Sequence, residues 1–311
     1  MTELISIDGT ASCRFAFGTM QFGDQADLAA SRAMFDACIE AGITHFDTAN
    51  LYTGGAAEQY LGQFIAPLRA RLIIGTKIGY DAPDNVEALR SQFDMSRARL
   101  GLDSVDILYL HRFNPNLSLE AQIDLLAELQ AQKQTRYLAV SNFAAWQVMK
   151  AQAIAINLGT KIDIVQPMYS LVKRQAEVEI LPMCAAEGIL AVTYSPLGGG
   201  LLTGKYAAGG TGRLSEDHRY GARYGLGWMH EAAAKLPEIA DAVGVHPATL
   251  AVAWAASHSS RPAPILSARS LEQLRPSLDA LSIKMSPEER DRLTALTPTP
   301  APATDRIEEH G

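Results

Sequence analysis

Short apolar runs rich in β-branched and aromatic residues alternate along the chain with segments whose apolar residues recur at helical spacing. The runs are Arg14–Gly18, Ile43–Asp47, Leu72–Thr76, Val105–Leu110, Arg136–Val140, Ile164–Gln166, Leu190–Tyr194 and Pro264–Leu266, and each predicts a strand. Between them, Asp27–Glu40 brings Leu28, Phe35, Cys38 and Ile39 to one helical face, and Leu119–Gln132 does the same with Ile123, Leu126 and Leu129. Eight strand–helix units in 311 residues, with no domain-like linker between them, predict an α/β chain folded as a single (β/α)8 TIM barrel over 1–311.

Three segments fall outside the repeat. Before the first barrel strand, Leu4–Ile7 and Ser12–Phe17 flank Asp8-Gly9, which predicts an N-terminal β-hairpin over one end of the barrel. After strand seven comes a Gly-rich insertion from Gly198 to about Trp228, too long for a simple connection and expected to be functional. The tail from about residue 297 follows a helix opened by Ser286, Pro287 and Glu289, and its proline and charge content predicts poor order.

Composition narrows the function classes. The chain is 48% hydrophobic and 20% charged, with a formal net charge of −7. No basic block is present to follow a phosphate backbone, so a small molecule is the expected partner and nucleic acid is not. The N-terminus lacks a basic segment followed by an apolar core, and no apolar run approaches the roughly eighteen residues of a membrane span. Cys13, Cys38 and Cys184 are too few and too scattered for a disulfide framework. A reducing cytoplasm is the expected compartment. The seven histidines form no ligand-spaced cluster, so no metal is expected. Nothing in the pattern addresses oligomeric state.

Barrels of this kind carry their chemistry at the C-terminal strand ends. Strand two ends on Asp47, three on Lys77, four on His111, five on Ser141-Asn142, six on Gln166, seven on Tyr194-Ser195, and eight on Ser267 with Arg269 close behind. Taken singly, Asp47 suits a turn, Tyr52 half-buried packing, Lys77 a solvated rim and His111 a backbone-satisfied imidazole. Their joint occurrence at three successive strand ends favours a catalytic set.

The motifs Gly18-Thr19-Met20, DTANLY followed by Gly55 and Glu58, Thr76-Lys77, YLHR ending at Arg112, Ser141-Asn142, Gln166 and YSPLGGGLLTGKY from Tyr194 stand in an order that resembles the aldo-keto reductases. The resemblance implies an NADP(H)-dependent oxidoreductase that reduces the carbonyl of a small aldehyde, ketone or sugar. It implies Tyr52 as general acid and Lys77 as the cation that favours its phenolate against an ordinary pKa of about 10. Asp47 would hold Lys77 charged, and His111 would orient the carbonyl oxygen. For the cofactor it implies contacts from Gly18, Thr19, Met20 and Asp47, stacking by Tyr194, and carboxamide bonds from Ser141, Asn142 and Gln166. Ser195, Leu197, Gly199 and Lys205 would border the pyrophosphate, and Ser267, Arg269, Gln273 and Ser277 the adenosine end.

Other readings of the same residues stay open. Ser141 and Asn142 are also able to cap the following helix, and Ser270 with Gln273 forms a Ser-x-x-Gln capping box. Gly199-x4-Gly204-Lys205 has the spacing of a P-loop, yet Tyr206 stands where a Ser or Thr must reach Mg²⁺. A Schiff-base aldolase with Lys77 as nucleophile is one alternative function. A non-catalytic, cofactor-sensing subunit similar to potassium-channel β subunits is another. Substrate selectivity is expected from loops near Phe22, Tyr80–Asn85, Phe113 and the insertion after Gly200.

Overall fold

The computed structural model describes residues 2–206 and 209–304. Eight parallel strands close on themselves: β1 (Ala16–Gly18), β2 (His45–Asp47), β3 (Ile73–Ile78), β4 (Ile107–Leu110), β5 (Tyr137–Ser141), β6 (Ile164–Gln166), β7 (Leu190–Thr193) and β8 (Ala263–Leu266). Each pairs with the next, and β8 returns to β1 through Ala16↔Ile265 and Phe17↔Leu266. Strand periodicity divides the side chains into two cores. Phe17, Phe46, Ile74, Leu108, Leu138 and Val165 point outward against the helices. Ala16, Ile73, Ile107, Ala139, Ile164 and Val192 fill the barrel interior.

All eight expected strands are present, with shifted limits in all but β6. β3 runs on to Ile78 and β5 to Ser141, because backbone pairing continues through Lys77↔Tyr109, Ile78↔Leu110 and Ser141↔Gln166 whatever the side chain. Lys77 and Ser141 therefore sit inside strands, where the sequence pattern placed them just after. The N-terminal hairpin is shorter than expected: Ser6 N donates to Thr10 O and Ser12 N to Leu4 O around Gly9, whose φ is +91°. Its second arm ends at Ser12, since Phe15–Phe17 are committed to the barrel core. Leu4 packs on the interior cluster and closes the base of the barrel.

Helix Leu28–Glu40 is capped by Asp27, which accepts from Ala30 N at 2.8 Å. Its buried face is Ser31, Met34, Phe35 and Cys38; Leu28, expected on that face, is 44% exposed. Helix Leu119–Ala131 buries Ile123, Leu126 and Leu129 as expected. The insertion after β7 is not an open loop. A 3₁₀ turn at Gly198–Thr203 is followed by short helices Arg213–Glu216 and His218–Arg223 and then by helix Gly227–Ala242. At the tail, Thr297 Oγ1 accepts from Arg174 at 3.2 Å, which ties down the start of the segment expected to be disordered; residues 305–311 lie outside the described residues. Among the described residues no single helix is long and apolar enough to cross a membrane.

Helix Ala56–Ile65 supports the turn that carries Tyr52, and it packs closely on helix Val86–Leu100. A Cβ at Gly62 would lie 2.5 Å from the Leu100 carbonyl oxygen. In an open helix Gly→Ala stabilises by about 1 kcal/mol. Here the approach is between backbones, so Gly62→Ala is expected to cost about 1–3 kcal/mol instead. Urea denaturation followed by circular dichroism reads the sign directly; a gain in stability would show that the two helices separate without penalty.

Candidate active site

The site is built around two charges removed from water. Asp47 ends β2, and Lys77 lies in β3 with its whole side chain buried. The Lys77 ammonium donates to the Asp47 carboxylate, to Thr48 O at 2.8 Å and to the Tyr52 hydroxyl at 3.4 Å. Its three donors are thus all engaged. Tyr52 reaches this point because the chain turns sharply after β2. Tyr52 N donates to Ala49 O, and Thr53, Gly54 and Gly55 then take left-handed backbones with φ of +49°, +65° and +101°.

Gly55 has a steric reason to be glycine, since a Cβ there would lie 2.4 Å from the Arg99 guanidinium carbon. Arg99 donates to Asn50 O at 2.9 Å and to the buried Glu58 carboxylate at 3.4 Å, and Glu58 accepts from Thr76 Oγ1 at 2.7 Å. This network ties the Tyr52 turn to the residue before Lys77.

The ionisation of these groups follows from burial first. Desolvation raises the Tyr52 pKa; the Lys77 charge lowers it and the Asp47 charge raises it again, and the net shift is upward. Lys77 favours the phenolate, as the sequence-based reading expects, but burial outweighs the cation and the net shift is upward. Burial works against the charged form of Lys77, yet Asp47 and then Tyr52 leave its pKa raised. His111 is pushed down to about 2 by burial, with the Lys77 and Arg112 charges adding to the effect. Its ring packs edge-on to Tyr52 at 5.9 Å between centroids, and its Nδ1 is buried without a partner.

The expected nicotinamide residues form one hydrogen-bonded chain beside this centre. Gln166 Nε2 donates to Asp47 Oδ1 at 2.9 Å, and Ser141 Oγ donates to Gln166 O at 3.0 Å. Asn142 Nδ2 donates to Ser141 Oγ and to His111 O, while the Tyr194 hydroxyl donates to Asn142 Oδ1 at 2.7 Å. Asn142 and Ser195 take left-handed backbones. Neither Ser141 nor Asn142 caps the next helix. Helix Ala145–Asn157 has no side-chain N-cap, and Gln147 accepts the Ala144 N–H instead.

The segment expected at the phosphates is glycine-lined. Gly198, Gly199, Gly200 and Gly204 all have φ between +57° and +96°. A Cβ on Gly199 would lie 2.9 Å from the Tyr220 ring, and one on Gly200 3.8 Å from Lys205 Nζ. Lys205 makes no ion pair among the described residues, so its charge stands beside a bare backbone, an arrangement able to hold a phosphate. Leu197 is half-buried against the core. Gly18 pairs with Asp47 across β1 and β2, Thr19 is buried with its N–H on Asp47 O, and Met20 is exposed.

Arg269 and Gln273, expected at the adenosine end, are already engaged with each other, with Ser270 and with the insertion. Arg269 pairs with Glu216 of the insertion at 3.2 and 3.3 Å. Gln273 takes the Arg269 N–H on its Oε1, while its own N–H goes to Ser270 Oγ, so half of the expected capping box forms. Ser267 is exposed, but Ser277 is buried beside Leu274 on the inner face of helix Leu271–Asp279. Phe22, expected near the substrate, is fully buried against Phe17 and Phe64. Tyr220 lies close enough to Tyr52 and Tyr194, and Arg223 close enough to Tyr194, to influence their ionisation; both were missed because the sequence of the insertion does not fix where its side chains fall, and the dense HRYGARYG run at residues 218–225 was the available signal.

Together these residues fit a nicotinamide dinucleotide: a polar chain for a carboxamide, a glycine cradle beside Lys205 for a pyrophosphate, and an arginine at the far end. A second concavity of about 400 Å³ lies at the opposite end of the barrel, lined in part by Leu4, Cys13, Arg14, His45 and Arg261. It contains none of the acid, lysine, phenol and histidine set.

Comparison with known proteins agrees with this geometry. The aldo/keto reductase family model matches residues 14–298. The chain is 31% identical over 300 residues to a probable voltage-gated potassium channel subunit beta of Oryza sativa subsp. japonica, covering 88% of this chain and 89% of the relative. It is 29% identical over 324 residues to the uncharacterized oxidoreductase YrpG of Bacillus subtilis, covering 95% of each. Norsolorinic acid reductase stcV of Emericella nidulans is 30% identical over 299 residues, covering 88% of this chain and 75% of the relative. With the barrel, the strand-end residues and the match over nearly its whole length in agreement, the chain belongs to the aldo/keto reductase family.

Proposed function

We propose that the chain reduces the carbonyl of a small aldehyde, ketone or sugar to an alcohol, using NADPH, in a reducing cytoplasm. The observation that carries the reading is the Lys77 ammonium held between the Asp47 carboxylate and the Tyr52 hydroxyl at the mouth of the barrel. When bound, the reduced nicotinamide supplies hydride to the carbonyl carbon. Tyr52 gives its proton to the carbonyl oxygen, and the phenolate left behind faces the Lys77 charge at 3.4 Å. Asp47 keeps Lys77 protonated, so that charge is present throughout. His111, neutral at physiological pH, hydrogen-bonds the carbonyl oxygen and orients it. Preference for NADPH rests on Arg269 and on the helix N-terminus that follows it. Three free thiols agree with the compartment.

The engagement of Lys77 argues against an aldolase. A Schiff-base nucleophile needs a free amine lone pair, whereas this amine is charged and donates three hydrogen bonds. The resemblance to the rice protein favours a second reading, a cofactor-sensing subunit. That reading requires tight NADPH binding with negligible turnover across aldehydes, ketones and sugars, which an NADPH absorbance panel decides.

Tyr52→Phe keeps the ring and removes the proton, and is expected to lower turnover by roughly a hundredfold or more. Lys77→Met should do likewise. NADPH affinity, read by tryptophan fluorescence, should stay near wild type in Tyr52→Phe; near-normal turnover in either variant would remove the proton-donor assignment.

The pH profile carries a sign. Tyr52 must be protonated to act, and its pKa is raised, so carbonyl reduction is expected to hold between pH 6 and 9 and to fall only above about 10, the ordinary phenol value. His111, with a pKa near 2, contributes no step in that range. An inflection near pH 6.5 that vanishes in His111→Gln would show that the imidazole is charged in the working enzyme.

Arg269→Ala is expected to raise the NADPH dissociation constant by about tenfold and to leave NADH nearly unchanged. The effect sits at the low end for a charge-assisted bond because Glu216 already competes for the guanidinium. Glu216→Gln should shift NADPH affinity the other way. Equal weakening of both cofactors by Arg269→Ala would assign the arginine to the fold.

A further inference from the structure

A row of rings leads outward from the proton donor. Tyr52 packs edge-on to His111, and His111 packs edge-on to Tyr80 at 4.9 Å between centroids. The Arg112 guanidinium then lies 5.0 Å from the Tyr80 ring centroid. Arg112 follows His111 directly at the end of β4 and is exposed. Among the described residues it makes no ion pair and no side-chain hydrogen bond, so Tyr80 is its only support.

The other cations of the mouth are differently placed. Arg213 and Arg223 flank the Tyr220 ring at 4.8 and 5.1 Å, on the insertion after β7 that also carries the glycine cradle. Arg219 is held by Asp217, and Arg269 by Glu216. Asp81 and Asp84 share the loop of Tyr80, yet among the described residues neither pairs with a cation, and Asp84 accepts from Asn85 instead. Arg219 also lies near Tyr80, but Asp217 holds its charge; Arg112 adjoins His111 in sequence without an ion pair among the described residues, and its charge is close enough to help depress the His111 pKa.

Arginine stacked on tyrosine is common packing by itself. What sets this one apart is its position: two ring contacts from the carbonyl-binding tyrosine, unpaired, in a chain whose net charge is −7. An acidic protein that leaves a bare guanidinium beside its reaction centre offers a fixed counter-charge to one class of ligand, and such a charge also steers that ligand inward.

We propose that Arg112 is a specificity-determining residue, selecting carbonyl substrates that carry a carboxylate, with Tyr80 holding the guanidinium in place. The proposal rests on the carbonyl-reductase reading above and adds the substrate class. The carboxylate accepts hydrogen bonds from Arg112 while the carbonyl oxygen lies between Tyr52 and His111. A small molecule with an aldehyde at one end of a ring or short chain and an acid at the other has the required shape.

The test compares 4-carboxybenzaldehyde with its neutral methyl ester in the whole protein. Wild type is expected to favour the acid by about tenfold or more in kcat/KM, mainly through KM, and less so as salt is raised. In Arg112→Gln the ratio of acid to ester should fall to about one, and Arg112→Lys should restore part of it. A ratio near one in wild type, or a ratio unchanged by Arg112→Gln, overturns the proposal. Titration calorimetry with the acid and the ester separates this from failure of the reductase reading. If no carbonyl is turned over but the acid binds and Arg112→Gln abolishes that binding, the charge selection stands and the reductase reading falls. If the acid does not bind, or binds equally to both proteins, the selection falls.

Discussion

The buried pair of Asp47 and Lys77 is the interaction on which the site depends. Removing two opposite charges from water costs several kcal/mol per ion, and attraction alone seldom returns more than that. An apolar pair would serve stability as well. The remaining hydrogen-bonding positions of the pair are filled, which offsets part of that cost: Thr48 O and the Tyr52 hydroxyl on the lysine, Gln166 on the carboxylate. Two of those bonds, to Tyr52 and from Gln166, also place groups of the candidate site. The desolvated pair therefore acts as a positioning device, and its cost is offset in part by hydrogen bonds that double as site geometry.

Two networks extend that device into the fold. On one side Thr76, Glu58 and Arg99 join the strand bearing Lys77 to the left-handed turn bearing Tyr52, so the lysine and the phenol are referenced to the same frame. On the other, Gln166, Ser141, Asn142 and Tyr194 cross the ends of β5, β6 and β7 and return to Asp47. Buried polar networks of this kind are stable only when complete, since each half-satisfied group retains its desolvation penalty. Movement of one strand end would be felt at Asp47 through hydrogen bonds and at Tyr52 through the turn.

The strands were legible in the sequence because β-branched runs and their spacing are local properties, and the four catalytic candidates were legible because they fall at the ends of those runs. What escaped depended on tertiary contact. Lys77 looked like a strand terminus because its polarity ended an apolar pattern, but pairing with Tyr109 keeps it in the ladder. Leu28 read as core and is exposed, because Ser31 and Met34 set the packed face of its helix. The upward shift at Tyr52 was invisible to a reading that counted a neighbouring cation and had no measure of burial. Arg269 read as a free receptor, and only the folded insertion reveals Glu216 beside it.

The upward shift at Tyr52 also bears on direction. Reduction draws a proton from the phenol, so a group that stays protonated at neutral pH is ready to act in every molecule. Oxidation of an alcohol would need the same group as phenolate, a form that burial and the Asp47 charge disfavour and Lys77 only partly restores. Burial that makes Lys77 and Asp47 an effective anchor also holds the Tyr52 phenol in its protonated form, the form that the proposed proton transfer to a carbonyl oxygen requires.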